Sequence, residues 1–261
     1  MQKVTKISEK RRDFGFEEVS LEEHRHRVGT LFNSVSNNYD LMNDLMSLGL
    51  HRYWKNTFVQ RINPKPEMRI LDIAAGTGDI SIQILERLRK LQNYRGPLHP
   101  ITACDPSLSM IEQCRNRAID KGCLNAFSYV VAPAENLPFN PRCFDLVAIS
   151  FGLRNVSDRQ KAIRNFLQSL DFGGRFMCLE FSPAVWKVIE PLYEVYSMRV
   201  IPWLGQMITN DGDAYRYLAE SIRKFPAPEI LAEELEEQGF QNITWRSLSG
   251  GIVNIHSAWR T

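Results

Sequence analysis

The sequence predicts an α/β protein built on a parallel, doubly wound sheet, and three observations carry that prediction. The first is Ile70-Leu71-Asp72-Ile73-Ala74-Ala75-Gly76-Thr77-Gly78-Asp79-Ile80, an apolar run that passes through small residues and two glycines into a helical stripe of Ile80, Ile84, Leu88 and Leu91. It reads as strand, tight turn and helix. The second is the alternation of short strand-like runs with helical patterns as far as residue 181, which implies crossover connections between parallel strands. The third is Asp105, an acid closing the second strand-like run, on the sheet edge where ligands of such folds bind.

Taken in order, residues 17 to 60 precede the first strand and read as helical, with Val28-Leu31-Phe32-Val35 at helical spacing and Gly49 able to end a turn. Such a layer would lie over the ligand cleft as a lid, or simply cover the core. Strands follow at 69–73, 101–104, 127–131, 144–150 and 174–181, and helical patterns at 79–93, 107–121 and 157–170. Asp105 has two readings: acceptor of hydrogen bonds from ribose hydroxyls, or N-cap of a helix beginning near Ser107 with Pro106 at its first position. Ala134 to Phe139 reads as a cleft loop that would flank an adenine. Beyond the fifth strand, Val188, Ile189, Leu192, Val195 and Tyr196 form an apolar helical stripe with Trp203 nearby: core, a tail-binding face, a dimer contact or a membrane surface. A last strand pair is expected near 242–247 and 252–259. The expected organisation is an N-terminal segment and helical lid over 1–60 and a main domain over 61–261 with a helical insertion at about 185–225, forming one structural unit.

Composition narrows the classes. Across 261 residues, 44% hydrophobic and 24% charged content suits a soluble globular chain with a sizeable core, and a net charge of +2 argues against nucleic acid as the main partner. No uncharged run reaches the roughly 18 residues expected of a membrane-spanning helix. Cys104, Cys114, Cys123, Cys143 and Cys178 are scattered without a Cys-x-x-Cys pair, so buried reduced thiols are expected and no metal site. Lys3, Lys6, Lys10, Arg11 and Arg12, against the single acid Glu9, read either as the remnant of a basic targeting segment or as a frayed, solvated terminus.

The glycine turn also limits its ligand. A dinucleotide fingerprint would want a third glycine at position 81, where this chain has Ser81, and Asp72 and Asp79 would set two carboxylates beside a bound pyrophosphate. A ligand with cationic groups and no phosphate suits that arrangement. S-adenosylmethionine (SAM), with its ammonium and sulfonium, is the candidate.

Several longer stretches resemble the ubiquinone/menaquinone biosynthesis C-methyltransferase family: Tyr39-Asp40-Leu41-Met42-Asn43-Asp44-Leu45-Met46-Ser47 with Gly49 and His51-Arg52; Asp72 to Asp79; Ser150-Phe151-Gly152-Leu153-Arg154-Asn155-Val156; Gly173-Gly174-Arg175-Phe176; Leu179-Glu180-Phe181-Ser182; and Tyr215 to Arg223. The resemblance runs from about Phe14 to Trp259. It implies a class I SAM-dependent methyltransferase fold, a Rossmann-like seven-stranded, mostly parallel sheet with helices on both faces. It also implies methylation of a ring carbon of 2-methoxy-6-polyprenyl-1,4-benzoquinol. Phe14-Gly15-Phe16-Glu17 and Gly250 to Ser257 resemble the mitochondrial ubiquinone branch, which implies peripheral attachment to the matrix side of the inner membrane, within a complex of other ubiquinone biosynthesis proteins and with homodimerisation open. By the same resemblance Asp72, Ala74, Gly76, Thr77, Gly78, Asp105, Pro133, Ala134 and Ser150 are cofactor-binding residues. Arg154 and Asn155 are acceptor-site residues, with Tyr39 contributed by the lid. Two positions depart from the family: Ala75 stands where glycine is usual, and Pro133 stands where an acid or Asn commonly precedes the alanine.

Carbon methylation needs an electron-rich ring, so a quinol is expected as acceptor and a quinone is not. Arg154, which keeps its proton, is expected to stabilise the phenolate. Two other classes compete: a non-catalytic scaffold holding a biosynthetic complex together, and a nicotinamide oxidoreductase, which the missing glycine and the two carboxylates disfavour.

Overall fold

The computed structural model describes residues 11–35, 44, 47, 49–91, 98–183, 187 and 212–261. Its centre is a seven-stranded sheet of β3 (Ile70–Ile73), β4 (Ile101–Asp105), β5 (Phe127–Val131), β6 (Phe144–Ser150), β7 (Leu170–Phe181), β8 (Gln241–Leu248) and β9 (Val253–Trp259). The spatial order is β5-β4-β3-β6-β7-β9-β8. The five strands from β5 to β7 run parallel, and β9 pairs antiparallel with both β7 and β8. The expected seven-stranded, mostly parallel sheet is therefore present.

The central strands are apolar on both faces because helices cover both. Ile70, Leu146, Ala148, Met177 and Leu179 point to one side, where they join Trp54, Phe58, Ile84 and Leu88. Leu71, Ile73, Val147, Ile149, Phe176 and Cys178 point to the other and meet Ala162, Ile163, Phe166, Leu231 and Leu235. This alternation along otherwise continuous apolar runs is what a buried parallel sheet requires. The first layer contains α2 (Leu50–Ile62) and α3 (Asp79–Arg89), and the second contains α5 (Arg159–Ser169) and α7 (Pro228–Glu237). The remaining helices are α1 (Leu21–Val35), α4 (Leu108–Asp120) and α6 (Gly212–Lys224). All five cysteines are free thiols, four of them buried.

Residues 17–20 are not helical. They form β2 (Glu17–Ser20), which pairs with β1 (Arg11–Phe14) through a two-residue turn at Gly15 and Phe16. Four residues are too few to display a period of their own beside the helical spacing that follows. Gly15 holds φ 61° where a side chain would strike Glu220, and the Phe16 N–H donates to that carboxylate at 3.1 Å. Phe14 stacks on Tyr217 at 4.4 Å, so the hairpin is tied to α6. Helix α1 then starts at a Ser20 cap whose hydroxyl accepts the Glu23 N–H. Arg12 is likewise fixed: its guanidinium donates to the Ser157 carbonyl. The stripe from Val188 to Tyr196, Trp203 and the residues before Arg11 lie outside the described residues.

Candidate active site

A cleft of about 730 Å³ opens at the C-terminal edge of the sheet, where the strand order reverses between β3 and β6. Ile73, Ala74 and Gly76 line it from the end of β3, and Asp105 to Met110 from β4 and the start of α4. Pro133 to Glu135, then Phe151, Gly152 and Asn155 to Ser157, complete the opposite side. Arg25, Val28 and Gly29 of α1 close over it, the place expected of a lid.

The backbone around this cleft is under constraint. Ala74 (φ 51°) and Phe151 (φ 55°) both adopt the left-handed conformation immediately after neighbouring parallel strands, a geometry that costs about 1–3 kcal/mol for each non-glycine residue. Gly152 packs so closely on Ala74 that a Cβ there would collide with the Ala74 Cβ. Gly76, at φ 54°, has open space where its side chain would be, so a ligand can approach the backbone. Gly78 serves a different purpose: at φ 81° its missing Cβ lets the Cys114 sulfur of α4 sit against the turn. Ala75 is outside the left-handed region and donates its N–H to the Cys104 carbonyl at 3.1 Å, so glycine is not needed there.

Two buried carboxylates lie at this turn. Burial pushes Asp72 up to about 7 against the hydrogen bonds it accepts from the Ser81 N–H (3.1 Å) and hydroxyl (2.6 Å), and neighbouring Asp105 and Asp79 raise it further. Burial also pushes Asp105 up to about 6, opposed by N–H bonds from Ser107 (2.9 Å) and Gly76 (3.0 Å). Each Asp105 oxygen uses one acceptor position on the backbone and keeps capacity for a hydroxyl of a ligand. Carboxylates held this far from water favour a cationic occupant. Asp105 is not the helix cap. Ser107 takes that place, accepting the Met110 N–H, and Pro106 precedes it.

The expected site residues divide into three groups. Ala74, Gly76, Asp105, Pro133, Ala134 and Asn155 line the cleft. Asp72, Thr77, Gly78 and Ser150 do not; they stand behind or beside it. Thr77 turns its hydroxyl to Arg117 at 2.6 Å, and the buried Ser150 hydroxyl has no hydrogen-bond partner among the described residues. Asp79, expected to repel a phosphate, instead accepts from Lys55 (2.8 Å) and Arg117 (3.1 Å); burial disfavours its charge, but those two cations hold its carboxyl below the ordinary range. Of the acids at this turn, Asp105 is the one that lines the cleft, with Asp72 buried behind it. Tyr39 lies outside the described residues.

Arg154 is the main departure. It follows β6 in a short helical turn (Leu153–Asn155), but its guanidinium faces Glu180 at 2.7 Å and the Phe151 carbonyl at 2.6 Å rather than the cleft. The side chains of Arg154 and Glu180 are 6% and 1% exposed, and a carboxylate buried that completely requires a counter-charge. Glu180 also accepts the Arg154 N–H at 3.2 Å, which fixes the turn carrying Asn155. Sequence reasoning did not find Arg25, Gly29, Ser157 or Tyr217 as site residues. The turn glycines and acids form a local motif, whereas these four come from distant elements with no local signature.

Comparison with known proteins places this geometry. Residues 19–260 match the ubiE/COQ5 methyltransferase family. The chain belongs to this family. A ubiquinone/menaquinone biosynthesis C-methyltransferase, UbiE, of Acidiphilium cryptum is 44% identical over 95% of this chain and 96% of its own length. The mitochondrial 2-methoxy-6-polyprenyl-1,4-benzoquinol methylase of Danio rerio is 41% identical over 95% of this chain and 84% of its own. Among solved structures, a SAM-dependent methyltransferase of Thermotoga maritima, a possible histamine N-methyltransferase, has a TM-score of 0.62 at 17% identity, covering 90% of this chain and 100% of its own. Phosphoethanolamine N-methyltransferase 2 of Haemonchus contortus, solved with S-adenosylhomocysteine, has 0.62 at 14%, covering 93% and 60%. At those identities the likeness concerns the class I methyltransferase fold. As a ubiE/COQ5 methyltransferase, the chain is a SAM-dependent enzyme. The open space at Gly76 and the two buried carboxylates fit that cofactor.

Proposed function

We propose that this ubiE/COQ5 methyltransferase transfers the methyl of SAM to a ring carbon of 2-methoxy-6-polyprenyl-1,4-benzoquinol in ubiquinone biosynthesis. The observation that carries the reading is the cleft itself: the buried acid Asp105 on one side with Asp72 buried behind it, and Asn155 beside Phe151 on the other, under a roof from α1. The cofactor supplies an electrophilic methyl on a sulfonium. Asp105 accepts from its ribose hydroxyls, Gly76 admits it to the backbone, and Pro133 and Ala134 flank its adenine. Pro133 has no N–H to donate, and its carbonyl already accepts from Asn136 at 2.9 Å, so its ring serves as a wall.

The acceptor must be the reduced ring. With SAM bound, phenolate density at the carbon ortho to the hydroxyl would take the methyl as its bond to sulfur breaks, and the proton on that carbon would then pass to water to restore the aromatic ring. The protein contributes mostly by holding the two partners together, an effect worth up to about 7–11 kcal/mol. In this reading Asn155 contacts the acceptor ring. Arg154, neutralised by Glu180, is a positioning residue for that turn, and Tyr39 belongs to the lid. Of residues 1–60, α1 acts as the lid, whereas α2 packs into the core of the 61–261 domain, and the insertion at about 185–225 shapes the acceptor side. The mitochondrial relative supports a place in the mitochondrion; peripheral attachment to the matrix side of the inner membrane, work beside other ubiquinone biosynthesis proteins and homodimerisation belong to the proposal.

The test is an anaerobic assay comparing methylated product from a short-chain benzoquinol and from its quinone. Product from the quinol alone is expected. Equal rates on both would remove the mechanism, and SAM binding without methylation of any quinol would favour a scaffold.

A further inference from the structure

Asn155 is the one residue of the Leu153–Asn155 turn that lines the cleft, and its amide is held from outside the turn. The Tyr217 hydroxyl, from α6, donates to the Asn155 Oδ1 at 3.2 Å. Tyr217 is 5% exposed, and its ring is stacked on Phe14 of the N-terminal hairpin at 4.4 Å. The backbone is pinned as well: the Asn155 N–H reaches the Gly152 carbonyl at 3.1 Å, and Leu153 is fully buried. Turning that amide over would exchange this bond for one from Nδ2 to the phenolic oxygen, which is a weaker acceptor than an amide oxygen.

We infer that Tyr217 is a positioning residue that orients the Asn155 amide so that its Nδ2 hydrogens face the cleft, and that the site thereby selects an acceptor ring carrying a hydrogen-bond-accepting oxygen next to the methylated carbon. This rests on the proposed methyl transfer to a quinol and adds which group reads the oxygen. The arginine beside it does not line the cleft: its Nη1 is held by Glu180 and the Phe151 carbonyl, and its side chain is 6% exposed. A neutral amide donor suits both the hydroxyl oxygen of the bound quinol and the phenolate into which it turns. Burial pushes the Tyr217 hydroxyl up to about 12, so it stays a protonated donor throughout the working range. The device also joins three distant parts of the chain: the hairpin through Phe14, α6 through Tyr217, and the turn after β6.

The experiment is a double-mutant cycle on the full chain with Tyr217→Phe, Asn155→Ala and the pair, using a short-chain quinol. Tyr217→Phe keeps the ring and its stack on Phe14, so the thermal midpoint should hold. Its kcat/KM for the quinol should fall about tenfold, the effect of misorienting one donor. SAM affinity, read by calorimetry, should stay within about twofold of the parent. In the Asn155→Ala background, adding Tyr217→Phe should cost less than about twofold more, whereas a merely structural tyrosine would cost the same in both backgrounds. A wild-type kcat/KM in Tyr217→Phe, or additive losses, overturns the inference. If the parent methylates no quinol, the function reading fails by itself. The inference is then decided by the side-chain amide protons of Asn155 in nitrogen-15 spectra, assigned by their loss in Asn155→Ala. Slow exchange that becomes fast in Tyr217→Phe supports the fixed orientation, and unchanged exchange refutes it.

Discussion

Replacing Asp105 by Asn separates cofactor binding from stability. The carboxylate accepts N–H groups from Gly76 and Ser107, and burial lifts it from an ordinary 3.8 to about 6. The folded state therefore keeps the proton longer than the unfolded chain does. The contribution of this group to stability is complete below about pH 4 and is lost as pH rises through about 6. At about 1.4 kcal/mol per pH unit, the ionised group costs the unliganded fold about 3 kcal/mol at pH 8. An amide is never charged and removes that cost, but its NH2 must face one of the two backbone N–H groups and forfeits a charge-assisted bond worth about 1.5–3 kcal/mol. The two effects nearly cancel at pH 8; at pH 5, where the folded carboxyl is mostly protonated, the parent has recovered about 1.4 kcal/mol of that cost and is the more stable of the two. The gap in unfolding free energy between parent and Asp105→Asn should accordingly shrink by about 1.4 kcal/mol between pH 5 and pH 8, measured by urea denaturation without ligand. SAM affinity, by calorimetry at pH 8, should move the other way and weaken by about 1–3 kcal/mol, as an acceptor of ribose hydroxyls is compromised. A stability gap independent of pH would refute the buried-charge argument. Undiminished SAM binding, in this variant or in Asp105→Ala, would refute the ribose assignment.

Other substitutions probe the frame around the site. Arg154→Ala should leave Glu180 buried and unpaired, lowering unfolding free energy by about 3–5 kcal/mol in denaturant titration, with loss of turnover following from the loosened turn. Gly78→Ala should cost at least about 1–3 kcal/mol through its left-handed backbone and the collision with Cys114, and Cys114→Ala should restore part of the loss in a thermal melt. His256 is held down to about 4 by burial, against its hydrogen bond to the Pro228 carbonyl; because its folded pKa is depressed, the stability it lends is present above about pH 6.5 and lost as pH falls towards 4, so the acid unfolding midpoint should move to lower pH in His256→Gln.

What the sequence disclosed and what it concealed follow from the range of the interactions. The turn from Asp72 to Gly78 is legible because strand, small residues and helix stripe are contiguous, and a short motif meets one local requirement after another. Asp105 was legible for the same reason, lying at the end of its strand. Helix ends were less so: the pattern for α3 was carried to residue 93, whereas the helix ends at Arg89 and Leu91 is exposed. The hairpin at 11–20 was hidden because its stability comes from Glu220 and Tyr217, some two hundred residues away in sequence. The direction of Arg154 was hidden likewise, since nothing near it in sequence announces that Glu180 is buried and needs a cation.

That reassignment changes how the developing phenolate is accommodated. A free guanidinium in the cleft would stabilise negative charge on the acceptor, but it would also stand beside a cationic cofactor and oppose its binding. In the proposed reading that conflict is avoided by pairing Arg154 with Glu180 out of the cleft, with Asp105 lining the cofactor side, Asp72 buried behind it, and a neutral amide on the acceptor side. During transfer the cofactor loses its positive charge and the phenolate its negative one, so the reacting pair as a whole changes little in net charge. In that reading a neutral donor and a compensated ion pair on the acceptor wall match such a charge-annihilating step, and Arg25, a cation that lines the cleft, lies against Glu135 at 3.9 Å. Introducing a cation on the acceptor wall should therefore slow turnover: Asn155→Lys, which sets an ammonium in the cleft, should weaken SAM binding and lower kcat together, whereas Asn155→Gln should leave SAM affinity unchanged and affect the acceptor alone. An Asn155→Lys enzyme with parental kcat and parental SAM affinity would show that the charge of this wall is immaterial.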